Sequence, residues 1–484
     1  MRDCLVLTAL VILVLPHDAP ALVQLRTSTG PTRAVAGRAR CSRVAPTVGS
    51  SRPGSQGEED GPGGLARGEG SDRSTRSPLT TCSGQTRRQM LLRVSAVITA
   101  GLAAHAAGAA DHAAGRQTYF QRFPTLFAPL FGKSTKQTVR RELGDGIWVL
   151  EQNLELGPLE TPIRSVVVRL SDGTLWVHCP LAPTLEYFEL VESCVEGGRD
   201  SVAHVVVPTY ALEHKVFAKD ALARWRRARL WTAPGQFSFP VASVPDEFVW
   251  GRRVDGVLEG SDLSTSTDEI PWVSELQFET LTAGTFSVGL SNLTFHETIF
   301  YHAASRSLIV TDCVARIAQE PPALMSSEKL LLIGKRSTAD ALPADSPEAR
   351  QVGWEKTALL VSYFFPEHEE LDPVRPGVVT WTEGWHDNFK ALAGRLLVPP
   401  VVRALIYAQN PARVQEWVDR VGERRWEFEQ IIPAHWEAPV RATQSDFSRA
   451  FAFLGDDSLD AFPTNDLKRG IKPLADAFVR QERR

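Results

Sequence analysis

Apolar runs that are short, rich in β-branched residues and cut off by turn residues recur from residue 147 to residue 432. Such runs predict strands, and apolar positions at helical spacing between them predict helices. Residues 147–150 begin the first strand. Residues 165–170 and 175–179 flank Ser171-Asp172-Gly173-Thr174 and predict a hairpin. Residues 184–194 predict a helix after a Thr184 cap, 205–207 a buried strand, and 219–227 a helix with an Arg/Lys outer face. Residues 230–234 form a short strand stopped at Pro234-Gly235, and 237–250 a loop. Strands follow at 275–281 and 286–290. A second hairpin joins 298–302 to 308–311 about Ser305-Arg306. Residues 319–350 are polar and rich in Pro, Ala and Ser, the composition of an insertion or lid. Residues 387–423 are helical, with interruptions near Pro399-Pro400 and Pro411, and 428–432 is the last strand. The aromatic stretch 119–131 is expected to lie over the core, and no internal repeat is present.

The N-terminal quarter follows a different pattern. One Arg and the apolar run 5–15 precede Ala19-Pro20-Ala21, which has the form of a secretory signal too short to span a bilayer. Residues 22–57 contain no acid and six arginines among Ser, Thr, Ala and Gly, a transit-peptide composition. Residues 50–80 are Gly/Ser/Pro/Arg/Glu-rich and are expected to be disordered. Arg87-Arg88, a modest apolar segment and Ala107-Gly108-Ala109-Ala110 then look like a twin-arginine signal. The order resembles targeting to the thylakoid lumen of a complex plastid. Residues 1–110 are therefore expected to be a targeting region, removed near Asp111. A retained anchor at 94–110 is the alternative, disfavoured by a weakly apolar segment that contains His105.

Charge changes the picture only after this division. The whole chain carries −4, but residues 1–110 hold 13 Arg, no Lys and 7 acids, which leaves 40 basic and 50 acidic residues in the body. A body at −10 argues against nucleic acid or an anionic membrane as the main partner. An unidentified small molecule is the expected substrate, and no stable membrane insertion is expected after processing. Of six cysteines, Cys179, Cys194 and Cys313 remain in the body, without C-x-x-C spacing. They are expected to be reduced, with a Cys179–Cys194 disulfide as the alternative. No phosphate loop, nucleophile elbow or dinucleotide fingerprint is present.

The chemistry gathers at three strand ends. The run 205–207 is followed by Glu213 and His214, the run 308–310 by Asp312, and the run 428–432 by His435. Ligands at one edge of a sheet converge despite wide separation in sequence, and carboxylate with imidazole donors suits zinc, iron or manganese. Each residue also has an ordinary structural use, for example Asp312 as a helix cap.

The order strand–turn–Glu-His, then His–hairpin–Thr-Asp, then strand–Pro-x-His resembles the metallo-β-lactamase superfamily. More closely, Leu212-Glu-His-Lys-Val-Phe217, Pro234-Gly-Gln-Phe-Ser-Phe-Pro240, Ser307-Leu-Ile-Val-Thr-Asp312 and Ile431-Ile-Pro-Ala-His435 resemble the domain-of-unknown-function family 4336 of plants, algae and cyanobacteria, over about residues 119–455. The resemblance implies an α+β fold, an αββα metallo-β-lactamase-like sandwich over residues 111–484 with a helical C-terminal part and a metal site at one edge of the paired sheets. The superfamily motif His-x-His-x-Asp-His falls here on Thr209 to His214, so Thr209 and Ala211 stand where two histidines would be. One of two usual metal sites thus loses most of its ligands. The other keeps Glu213, His214, Asp312 and His435, and the resemblance implies at most one ion there, zinc or iron. His296 falls near the remaining superfamily histidine, with Glu297 and His302 as alternatives to it. The expected function is a mononuclear metal-dependent hydrolase in which Glu213 or Asp312 orients the attacking water. The alternatives are a non-catalytic lumenal binding or assembly factor and an iron-dependent oxidoreductase.

Overall fold

A computed structural model describes residues 115–121, 134–209, 211–236, 245–262, 270–288, 291–375, 377–455, 464–472 and 479–480. The targeting region, most of the 119–131 stretch and the Phe237–Pro240 block lie outside the described residues.

Two sheets carry the architecture. The first has seven strands in chain order: β1 (Val139–Gly144), β2 (Ile147–Leu156), β3 (Leu159–Arg169), β4 (Leu175–His178), β5 (Val202–Val207), β6 (Arg229–Thr232) and β7 (Gly256–Val257). β1 to β4 pair antiparallel and β4 to β7 parallel. The parallel crossovers carry helices α1 (Leu185–Glu192) and α2 (Ala218–Arg224). Thr184 caps α1, its side chain accepting from the Tyr187 amide. The second sheet contains β8 (Leu276–Val288), β9 (Ser291–His302), β10 (Ser307–Ile309), β11 (Gln430–Ile432), β12 (Val440–Arg441) and β13 (Val479–Arg480), in the order β12-β11-β10-β9-β8-β13. Helices α3 (Ser327–Gly334), α4 (Pro347–Tyr363), α5 (Trp385–Leu392), α6 (Pro400–Leu405), α7 (Pro411–Glu423) and α8 (Gln444–Ala450) belong to the second half.

The period-2 rule of strands explains the layers. Val206 of β5 faces Trp231, Phe300, Ile309 and Ile432 in a core between the two sheets. Its neighbours Val205 and Val207 point the other way, into a cluster with Tyr187, Phe188, Leu222 and Trp225 of the α1–α2 layer. On β10 and β11 the same alternation sends Ile309 and Ile432 inward, and Leu308 and Ile431 into the large helical cluster containing Trp354, Leu359 and Trp417. Strands covered on both faces read as continuous apolar runs, hence Val205-Val206-Val207. The order of layers is helix, sheet, sheet, helix: an αββα sandwich, as the resemblance implied.

Four expectations change. A strand precedes residue 147, because Gly144 and Gly146, at φ 91° and 74°, turn β1 into β2. β8 continues unbroken through Val288, so residues 286–288 are not a separate strand. Asp246–Trp250 is a short helix rather than loop. The 319–350 segment is no lid: it contains α3, with Leu330 and Ile333 buried, and Lys329 pairs across to Glu155 on β2 and Glu160 on β3, at 2.5 and 2.6 Å. The three body cysteines are free, so the disulfide alternative fails. No helix among the described residues is long and apolar enough to cross a membrane.

Candidate metal centre

The site lies where the two sheets meet at one edge. β5 ends at Val207, Pro208 stops its ladder, and Thr209 bridges to Glu297 of β9 while the Pro208 carbonyl accepts from the Thr298 amide at 2.8 Å. The single 3-10 turn Leu212–His214 then presents Glu213 and His214. β10 ends at Ile309 and delivers Asp312 three residues later. β11 runs parallel to β10, so it ends on the same side and delivers His435. Parallel neighbours end together, which brings residues more than 200 positions apart to one edge.

The donors converge closely. His214 Nε2 lies 3.2 Å from His435 Nε2, and the ring centroids are 4.9 Å apart. Asp312 Oδ2 is 3.2 Å from His214 Nε2, and its Oδ1 is 3.6 Å from His435 Nε2. Glu213 offers a carboxylate oxygen within 4.8 Å of a nitrogen on each ring. His435 Nδ1 donates to the Pro162 carbonyl at 2.9 Å, which places the lone pair of neutral His435 on Nε2, facing the other donors. Burial drives the His435 imidazole down to about 4, Asp312 opposing and His214 reinforcing, and it lowers His214 too. Burial raises the carboxyls of Glu213 and Asp312.

His214, Asp312 and His435 stand at separations that fit a single ion, with the Glu213 carboxylate beside the two rings. Donors held about 2.0–2.1 Å from a tetrahedral zinc stand roughly 3.3 Å from one another, close to the 3.2 Å separations here. A Glu213 carboxylate oxygen, Oε2, is buried without a hydrogen-bond partner, as expected of an atom with a cation to meet. His214 Nδ1 lacks a partner, so that ring is held on its Nε2 side alone, where Asp312 Oδ1 lies at 3.4 Å.

Of the residues singled out in sequence, Glu213, His214, Asp312 and His435 come together. His296 is not brought into that group: its Nδ1 lies 3.1 Å from Thr282 Oγ1, and its ring packs over Gly235. His302 contacts Ser305 in the β9–β10 turn. The neighbour Glu297 does reach the site, indirectly. Its Oε1 accepts from the amides of Thr311, Asp312 and Cys313 at 3.1, 2.9 and 3.0 Å, fixing the loop that carries Asp312. Thr209 and Ala211 are buried and supply no imidazole, the Thr209 hydroxyl accepting instead from the Ala211 amide.

The family described as "Domain of unknown function (DUF4336)" matches residues 144–453, more than half of the chain. The chain belongs to this family. The matched span of DUF4336 contains all four converging residues. Among curated proteins no relative matches. Solved structures similar to this DUF4336 chain include a metallo-β-lactamase from Pontibacter korlensis (10% identity over 66% of this chain and 100% of that one, TM-score 0.32). A metallo-β-lactamase from Hirschia baltica is similar at 10% identity, over 66% and 98%, with TM-score 0.33. The flavodiiron protein from Giardia intestinalis is similar at 10% identity, over 66% and 59%, with TM-score 0.35. The αββα assignment stands on the layers described above.

Proposed function

We infer that this DUF4336 protein is a mononuclear metal-dependent hydrolase, its ion held by Glu213, His214, Asp312 and His435. The observation that carries it is the 3.2 Å approach of two imidazole Nε2 atoms beside a carboxylate, the edge lengths of a coordination polyhedron. A bound divalent cation supplies Lewis-acid polarisation of a carbonyl or phosphoryl oxygen and lowers the pKa of water. The chain's part is to hold the imidazoles neutral by burial, to fix Asp312 through Glu297, and to offer the non-ligating oxygen of Glu213 or Asp312 as proton acceptor for an attacking water. With Thr209 and Ala211 at the positions of two superfamily histidines, chemistry that requires two metals is disfavoured.

The donor set also favours iron, because two carboxylates with two imidazoles suit ferrous iron as well as zinc. An iron-dependent oxidoreductase is the second reading. Metal analysis of the purified full chain separates them: stoichiometric zinc supports the hydrolase, iron the oxidoreductase. No metal after reconstitution with either ion refutes both and leaves a non-catalytic binding factor. His214→Ala and His435→Ala are each expected to lower metal occupancy at least tenfold with the fold retained by circular dichroism, whereas Thr209→Ala leaves occupancy unchanged. The leader pattern of residues 1–110 supports a lumenal plastid location for the mature protein. N-terminal sequencing of native material is expected to find a start near Asp111, and retention of residues 87–110 in a membrane fraction would refute it.

A further inference from the structure

Arg164 is the most buried arginine among the described residues, 1% exposed in the middle of β3. A guanidinium at such a position requires acceptors for a planar fork of five N–H donors. One comes from its own sheet: Glu151, its cross-strand partner on β2, accepts from Nε at 2.7 Å and from Nη2 at 2.5 Å. The others come from the loop after β11 of the opposite sheet. Nη1 donates to the Pro433 carbonyl and Nη2 to the Trp436 carbonyl, the latter at 2.8 Å. These carbonyls bracket His435 in sequence. Arg141, also bonded to Glu151, donates to Ala438 O at 2.8 Å and extends the same grip. Trp436 meanwhile holds φ at 61°, a left-handed conformation costly for a residue with a Cβ and maintained only where surroundings enforce it.

We propose that Arg164 is the positioning residue for His435, setting the distance between an imidazole borne by the second sheet and one borne by the first. The inference rests on the metal-centre reading above for its consequence, but not for its geometry. His214 belongs to the turn after β5, and His435 to the loop after β11. Besides the ladder edge at Ile163–His435 and the Pro162 carbonyl, Arg164 ties that loop to the first sheet through one carbonyl on each side of His435. Lysine keeps the charge but offers one nitrogen, which cannot serve Glu151 and two carbonyls in a planar fork.

The test compares Arg164→Lys with Arg424→Lys in the full chain. Arg424 is a second buried guanidinium, held by Asp262, Glu279 and Gln277, and serves as the control for general loss of a buried ion pair. Cobalt(II) affinity, read from its visible absorption, is expected to fall about 10–100-fold in Arg164→Lys and less than threefold in Arg424→Lys. Amide hydrogen exchange by mass spectrometry is expected to accelerate at residues 433–438 in Arg164→Lys alone, with residues 205–207 unchanged. Equal losses in both variants, or unaltered exchange at 433–438, would overturn the assignment. If the wild-type chain binds no cobalt, the metal-centre reading fails, and the exchange pattern still decides the role of Arg164.

Discussion

At the residue scale the site is held by buried charges whose acceptors and donors are backbone groups. Glu297 is the clearest case, since one carboxylate oxygen takes three successive amides of the Asp312 loop. Burial, followed by the nearby Asp312 carboxylate, raises the Glu297 carboxyl above its usual range. Truncation to alanine strands three N–H groups, each costing about 1–3 kcal/mol when buried and unpaired. Glu297→Ala is therefore expected to lose at least about 3 kcal/mol by urea denaturation and to weaken metal binding. Glu297→Gln keeps an acceptor oxygen and is expected to stay within about 1 kcal/mol of the wild type. An alanine variant as stable as the glutamine one would show that the three hydrogen bonds carry no weight. The four converging donors could be read from sequence because each follows a short apolar run and a proline or a hairpin. Glu297 was separable from His296 and His302 only by knowing which face of β9 meets the Asp312 loop. Arg164 gave no signal at all: an arginine inside a strand looks like a solvated edge until its acceptors, some 270 positions away, are in place.

At the element scale the second half of the chain was the harder to read. Helix α4 has buried residues on nearly every side, including Glu355, Lys356 and Gly353, so it lacks the one-sided apolar stripe from which helices are recognised. Its start signal was present in Ser346-Pro347-Glu348: the Ser346 side chain accepts from the Ala349 amide, and proline occupies the first turn. The polar composition of 319–350 concealed α3 because Lys329, which reads as a surface residue, is buried between Glu155 and Glu160. Gly353 has its own reason. A Cβ there would stand 2.0 Å from the Leu330 carbonyl oxygen, a backbone atom of α3 that cannot rotate away. Gly353→Ala is accordingly expected to separate α3 from α4 and to cost about 1–3 kcal/mol, as overpacking does, despite the higher helix propensity of alanine. Limited proteolysis should then move from the exposed 339–345 link into α3. Unchanged or increased stability in the alanine variant would mean that the two helices tolerate a wider separation than the wild-type packing shows.

At the scale of the whole molecule, a sandwich whose strands are covered on both faces places titratable groups in its core, and this fixes how stability responds to acid. His204 of β5 is buried and accepts from the Trp231 indole N–H at 3.0 Å through Nδ1, a bond it can make only while that nitrogen is unprotonated. Burial, with Arg229 adding to it, pulls its pKa from 6.5 down to about 4. Burial lowers His302 as well. The folded value lies below the unfolded one, and protonation creates the charge. Above pH 6.5 both states are neutral at these rings and nothing is lost. As pH falls through 6.5 the unfolded chain takes up protons that the fold refuses, so stability drops steadily until about pH 4, where the folded ring also protonates and the dependence ends. The expected loss from His204 is of the order of 3 kcal/mol, since a tenfold change in proton affinity is worth about 1.4 kcal/mol. Asparagine places an acceptor oxygen near the Nδ1 position without a titrating group. His204→Asn is therefore expected to flatten the decline of the unfolding midpoint between pH 6.5 and 4, while falling close to the wild type at pH 8. The same slope in both proteins would assign the acid sensitivity to other groups and remove His204 from the account.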